Sequence, residues 1–399
     1  MKIKFIDSLC TNGMHLLFNA SLIAILKKIF NDITIYGEKQ NINRELQLLK
    51  EYKINTKNIK LKKILLPIAK SKISNFLLYL CSFFYNLWFI IIANKNDILI
   101  FNYNNLLATR MINLFNKIFH RKILIFCHGE LEFLYYNYTS FGPFNRFSFW
   151  LGRHFFLNKN IEVEKNIKFV VLGESILKNI QLLFPKNISD HFMTMDHAYF
   201  FKNDPLKEKK LIDTDKIKIG SIGFFHELKG ANDFCRLVSS TTNISIEFSI
   251  TGKILYNIKK LQQLHINLPK NLGKDHVSRE ELEKRIEELD IILFLYPCNS
   301  YKLMASGAIL DALSMQKPII ALKNDYFEYI FKKYSAFGYL FDSIDEIIEV
   351  LNRKEKLNIS FNYKSIQEKL SVDMVSERFK RELASMGYLS NKIHSISYC

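Results

Sequence analysis

Apolar and polar positions along this chain follow two alternating patterns. Short unbroken apolar runs recur, separated by longer segments whose apolar residues return every three or four positions. The first pattern reads as a strand buried on both faces, the second as a helix that crosses back over it. In the first half the predicted strands are 3–7, 33–36, 97–103, 122–127 and 169–172; the predicted helices are 15–29, 44–52, 106–119 and 147–157. Residues 198–215, AYFFKNDPLKEKKLIDTD, break the pattern, and Asn203-Asp204-Pro205 is a turn signal. The second half restarts it with strands 217–222, 244–250, 291–295 and 318–322 and helices 231–239, 278–289 and 306–315. Ser278 with Glu281 three residues on is a helix start. A long amphipathic stretch, 364–386, closes the chain.

Strand–helix alternation of this kind predicts parallel sheets with crossover helices. Two such halves predict an α/β protein of two Rossmann-like, doubly wound domains facing across a cleft, 1–203 and 204–399, linked through 198–215. The helix at about 364–386 is expected to pack back on the first domain. The 399 residues suffice for two cores.

Residues 76–93, FLLYLCSFFYNLWFIIIA, reach the lower bound of a membrane span. The strand predicted directly after them would then lie across the bilayer from its own sheet. A helix buried in the domain, or one lying on the bilayer, fits better. Lysines 53, 57, 60, 62, 63, 70 and 72 precede it, as suits an anionic membrane surface; an exposed loop before a core helix reads equally well. The net charge of +17 points to an anionic partner, but no nucleic-acid-binding motif accompanies it, so nucleic acid is not expected. The six cysteines form no C-x-x-C pair, which removes support for zinc or thiol redox chemistry and fits a reducing compartment. The opening MKIKFID reads as a strand rather than a signal peptide, so a cytoplasmic location is expected.

Candidate chemistry gathers in four places. In YPCNSYKLMASGAILDALSMQKPIIALKN, Ser306 and Gly307 open a helix whose free N–H groups suit phosphate, and Asp311 lies about one turn on, where it can accept from ribose hydroxyls. In IGSIGFFHELKGANDF, Gly223 follows a strand and Lys229 opens a helix, where a lysine can neutralise a diphosphate leaving group. In FCHGELEF, His128 ends a buried strand, the edge where open α/β sheets bind ligands, and Glu130 beside it is a candidate base. Residues 133–150, FLYYNYTSFGPFNRFSFW, include Tyr135 and Tyr136; such aromatic density suits an acceptor glycan or its lipid, or a second hydrophobic cluster under a loop.

These segments resemble the GT-B fold glycosyltransferases, in particular bacterial polysaccharide enzymes of the retaining family 4 type. LDALSMQKPII stands where that family has E-A-x-x-x-G-x-P-V-I. The resemblance implies that Asp311 holds the ribose, and that Tyr301, Ser306, Gly307, Gly223 and Lys229 bind the donor. It sets Leu303 where the family's first acid contacts the donor sugar, and no arginine precedes Lys229 where the family has one. His128 would orient the sugar, His197 would shape the interdomain crossover, and Asn12-Gly13 would line the acceptor side.

The function implied is transfer of a sugar from a nucleotide diphosphate sugar to a glycan, lipid-linked, in bacterial surface polysaccharide synthesis (lipopolysaccharide, O-antigen or capsule). No metal or other cofactor is expected, and the protein is expected on the cytoplasmic face of the inner membrane, peripherally bound. Two alternatives stay open: a non-catalytic nucleotide-sugar-binding or scaffold subunit, favoured by Leu303, and a sugar-nucleotide epimerase using Glu130 and Glu174.

Overall fold

The computed structural model describes residues 2–135, 142–201, 216–274, 277–353, 357 and 360–389. The chain forms two compact units: Met1–Phe200 with Leu303–Ala305 and Leu370–Cys399, and Phe201–Lys302 with Ser306–Lys369. The linker expected at 198–215 lies, from residue 202 on, outside the described residues.

The first unit holds seven strands: β1 Ile3–Ile6, β2 Ile33–Gly37, β3 Ile59–Lys63, β4 Ile98–Phe101, β5 Lys122–Phe126, β6 Ile167–Val171 and β7 Phe192–Thr194. All pair in parallel, in the order β3-β2-β1-β4-β5-β6-β7. Burial on both faces explains unbroken runs such as ILIF in β4. β1 lies between β2 and β4, so the winding reverses there, and such a switch point opens a crevice at the carboxyl ends of the strands. Edge strand β3, IKLKK, stands where an exposed loop is one expectation, because its lysines mask its alternation. Charged side chains on an edge discourage pairing with another chain.

The second unit holds β8 Ile217–Ile222, β9 Ile246–Thr251, β10 Ile291–Phe294, β11 Ile319–Leu322 and β12 Gly338–Phe341. They too run parallel, in the order β12-β11-β10-β8-β9, with the switch point between β8 and β10.

The closing stretch is two helices rather than one, Tyr363–Lys369 and Val372–Ser385. Ser371 restarts the chain by accepting from the N–H of Met374, as an N-cap does. The second of these helices packs on the Leu16–Ile29 helix inside the first unit. It is followed by Tyr388, whose hydroxyl bonds the carbonyls of Ile123 and Asn166 at 2.9 and 2.7 Å.

Candidate functional site

The loop that follows β1 carries Asn12 and Gly13, both in left-handed conformation (φ 57° and 82°), and runs into the Leu16–Ile29 helix. It is held from below by a buried polar cluster that the sequence reading did not single out. The Asn19 amide donates to Asp7 Oδ2 at 2.9 Å and to Glu45 Oε1 at 2.8 Å, and Asn102 donates to Asn19 Oδ1 at 2.8 Å. Asp7 Oδ1 accepts from the N–H of Cys10 at 3.2 Å, and Asn41 Oδ1 from the N–H of Gly13 at 2.9 Å. Glu45 Oε2 is buried without a hydrogen-bond partner.

Two carboxyl groups so deep in one cluster cannot both carry charge easily. Burial pushes Asp7 up to about 6, its accepted hydrogen bonds opposing. Burial, then the charge of Asp7, pushes Glu45 well above the usual carboxylate range. A carboxyl that holds its proton more tightly when folded stabilises fully below its unfolded pKa, and that contribution fades as pH rises through the folded pKa. Glu45→Gln removes the titration and keeps an oxygen for Asn19. Its stability relative to wild type is therefore expected to rise from pH 5 to pH 8, with a limiting slope of about 1.4 kcal/mol per pH unit for one proton. Urea unfolding at each pH measures it; a pH-independent difference would contradict the titration of Glu45.

His128 follows β5, half-buried, with its ring stacked on Tyr103 (centroids 5.2 Å, 12°) and close to His15 at 4.9 Å. Its Nε2 lies 2.6 Å from the carbonyl oxygen of Asn102. A carbonyl only accepts, so Nε2 carries the proton and Nδ1 is left as an acceptor. Burial first, then His15, holds the ring well below the ordinary histidine range, so it is neutral at pH 7. A neutral ring with a free lone pair suits a sugar hydroxyl better than a phosphate oxygen. Glu130 Oε2 accepts from the N–H groups of His128 and Gly129 at 3.0 and 3.1 Å and fixes this turn. Its Oε1 is buried without a partner, and burial raises its pKa. His197 lies on the same side, edge-on to Phe18, as His128 does. Tyr135 ends the short helix Glu132–Tyr135, exposed. Tyr136 lies outside the described residues. Leu303 is buried in this unit, and its N–H donates to Glu132 Oε2 at 2.6 Å.

In the second unit Gly223 ends β8 with φ 85°, a conformation that costs other residues strain. Lys229 ends a single 3-10 turn, Glu227–Lys229, and its Nζ stands 5.3 Å from the Tyr296 ring centroid. No carboxylate among the described residues pairs with it. Tyr296 follows β10 and stacks on Tyr301 (4.5 Å, 7°), which is itself buried and left-handed at φ 59°. Both rings also stack on Phe327. Ser306 precedes the helix Gly307–Ser314 at the N-cap position, yet its side chain makes no capping bond. Its Oγ and the Tyr296 hydroxyl are both buried without a partner, while Gly307 is exposed. Asp311, on the second turn, is bound by Arg279 Nη1 at 2.5 Å, and Arg279 also holds Glu283 at 2.7 Å. The sequence signal for Arg279 was only the S-R-E-E helix start; its pairing with Asp311 is tertiary.

No protein-family model matches this sequence, and no curated protein matches it. Solved structures do. Anabaena HepE in complex with UDP and glucose superposes with TM-score 0.57 at 13% identity over 96% of this chain and 100% of its own. The apo lipopolysaccharide outer core galactosyltransferase WaaB gives 0.54, 13%, 96% and 99%. A glycosyltransferase from Rickettsia africae gives 0.56, 13%, 98% and 99%.

The chain has a GT-B fold. The predicted residues follow the carboxyl ends of strands: Asn12 and Gly13 after β1 and His128 after β5 in the first sheet, Gly223 and Lys229 after β8 and Tyr301, Ser306, Gly307 and Asp311 after β10 in the second.

Proposed function

We propose that this GT-B protein is a glycosyltransferase that uses a nucleotide diphosphate sugar, with the donor held by the second unit. The observation that carries this is the set of uncommitted groups beyond β8 and β10. A lysine without a carboxylate stands over Tyr296; Ser306 Oγ and the Tyr296 hydroxyl are buried and unbonded; and a helix N-terminus opens at Gly307. Buried polar groups are costly without partners, so such a set suits a ligand rich in acceptors. The N–H groups at Gly307, the Ser306 hydroxyl and the Lys229 ammonium supply positive potential to a diphosphate, a task that other enzymes give to a metal ion. Asp311, paired with Arg279, is the carboxylate acceptor placed for ribose hydroxyls.

The acceptor is then served by the first unit, through Asn12, Gly13 and Tyr135, with His128 accepting from a sugar hydroxyl. We take the course to be retaining and metal-independent. Glu130 serves the turn at His128 in that course; an inverting course would use its Oε1 as the base. The acceptor we favour is a lipid-linked glycan of bacterial surface polysaccharide synthesis, lipopolysaccharide, O-antigen or capsule, which sets the protein at the cytoplasmic face of the inner membrane. The HepE structure holds UDP and glucose, which supports a nucleotide sugar as partner.

Thermal stability with UDP, GDP, ADP and CMP tests the donor site. Ligand at a hundred times its dissociation constant is expected to add about 2.7 kcal/mol, and Asp311→Ala to lose that gain. No gain with any nucleotide from folded protein would overturn the donor site. Product analysis with the matching sugar donor then separates transfer, which needs an acceptor, from epimerisation, which does not, and from binding without turnover.

A further inference from the structure

The Lys72–Ile92 helix buries Ser82 and Asn86 among apolar residues and is apolar on the outside as well. Its inner face includes Ser82 and Asn86, both buried; Ser8 Oγ donates to Asn86 Oδ1 at 3.2 Å and lies 2.8 Å from Ser82 Oγ. Its outer stripe is Ile73, Leu77, Phe84, Trp88 and Ile91, spaced to fall on one side of a helix. Ile73 is 73% exposed, Phe84 60% and Trp88 55%. A helix facing water carries charged and polar residues on its outer face. Of the two expectations for this segment, burial in the domain is therefore not what is found: only 33% of its most apolar window is buried. Spanning is not found either, because the helix joins β3 to β4, parallel strands of one sheet.

Two neighbours extend the apolar surface. The Thr109–Phe119 helix packs beside Lys72–Ile92, and Pro143–Phe156 beside Thr109–Phe119. Phe144 meets the rings of Phe76 and Tyr79 at 5.2 and 5.4 Å. Leu114, Ile118, Phe147 and Trp150 are exposed on these two helices. The protein has 2 tryptophans, and both lie on this layer, Trp150 being 50% exposed. Tryptophan combines an apolar body with an N–H donor and favours the level of lipid headgroups.

The three helices of this layer carry no acid. Between Glu51 and Glu130 the sequence contains a single acid, Asp97, and between Glu132 and Glu162 none. Asp97 is buried and paired with Lys4 at 3.2 Å. Lys70, Lys72, Arg110, Lys117 and Arg146 are exposed. A broad apolar surface fringed by cations, with the exposed Glu162 only at its margin beside Asn113, complements an anionic lipid leaflet.

We propose that this three-helix layer seats the protein on an anionic membrane surface, with Phe84, Trp88 and Trp150 entering the headgroup–acyl boundary and the cations meeting lipid phosphates. The inference deepens the location given above, but it rests on residues apart from the donor site, and its test needs no turnover.

The test mixes the full chain with vesicles of phosphatidylcholine alone or of phosphatidylcholine and phosphatidylglycerol in equal parts. Cosedimentation and quenching of tryptophan emission by brominated lipid are read. Binding to the anionic vesicles with quenching is expected. It should weaken markedly from about 0.1 M to about 1 M salt, as the screening length falls from about 10 to about 3 Å. Phe84→Ser with Trp88→Ser should lower partitioning about tenfold or more, with unchanged circular dichroism showing that the fold is kept. Lys70→Gln with Lys72→Gln should lower binding to the anionic vesicles about fivefold per charge. No partitioning of wild type, partitioning without quenching, or tryptophan shielding that grows with protein concentration in the absence of lipid would each overturn the proposal; the last would assign the face to a second copy of the chain. Vesicle binding without any nucleotide binding would leave it standing and sink the donor-site reading instead.

Discussion

Lys229→Met is expected to lower transfer from a nucleotide sugar by about 10²–10³-fold in kcat/KM, the effect of removing one preorganised charge from a developing anion. Methionine keeps the unbranched stem that lies near the Tyr296 ring and removes only the ammonium. The loss should sit mainly in kcat, because the diphosphate gains charge as the sugar leaves it, and a partner matched to that charge binds the transition state better than the ground state. A readout that does not depend on turnover accompanies it. His226 is held below the ordinary histidine range by burial and, second, by the charge of Lys229. In Lys229→Met its pKa should move partly back up, visible by nuclear magnetic resonance titration. A variant with the His226 shift but undiminished transfer would remove Lys229 from the chemistry while proving that the substitution was made in folded protein.

What could be read from residue order alone was what is local. Buried parallel strands announce themselves as runs such as IILF, and a ligand edge follows at their ends, which makes His128, Lys229 and Ser306 candidates. Contacts that need the fold were out of reach. Asp7, Asn19, Asn41, Glu45 and Asn102 come from four separate elements or loops, and each alone reads as an ordinary polar residue. The Arg279–Asp311 pair spans 32 residues. The Lys72–Ile92 helix marks another boundary. A run as apolar as 76–93 has too little contrast to say which side faces the protein, and Ser82 and Asn86, which interrupt it, lie on the buried side here. The closing stretch failed for the reverse reason: its periodicity continues across Leu370-Ser371, while the Ser371 hydroxyl ends one helix and starts another.

Gly230→Ala is expected to destabilise the second unit by about 2–5 kcal/mol, toward the upper end of what single substitutions do. Two costs combine. Gly230 has φ 81°, which an alanine adopts at about 1–2 kcal/mol. Its added Cβ would also stand 1.8 Å from the carbonyl oxygen of Leu295, a backbone atom just past β10 that cannot rotate away. Relief requires the start of the Ala231–Ser240 helix to draw back from β10, and such overpacking costs typically 1–3 kcal/mol. Gly223→Ala isolates the first cost, since its φ is 85° but nothing lies within 4 Å of the new Cβ. Urea unfolding of the two variants should therefore differ by about 1–3 kcal/mol, and equal losses would show that the close approach to Leu295 is not rigid. The same contact explains why a glycine follows Lys229. Gly230 ends the 3-10 turn that carries the lysine and begins the next helix, and its lack of a side chain lets that junction press against the end of β10, where Tyr296 stands. The glycine thus serves the lysine by position, and Gly230→Ala should weaken nucleotide binding through misplacement of Lys229 even where the unit remains folded.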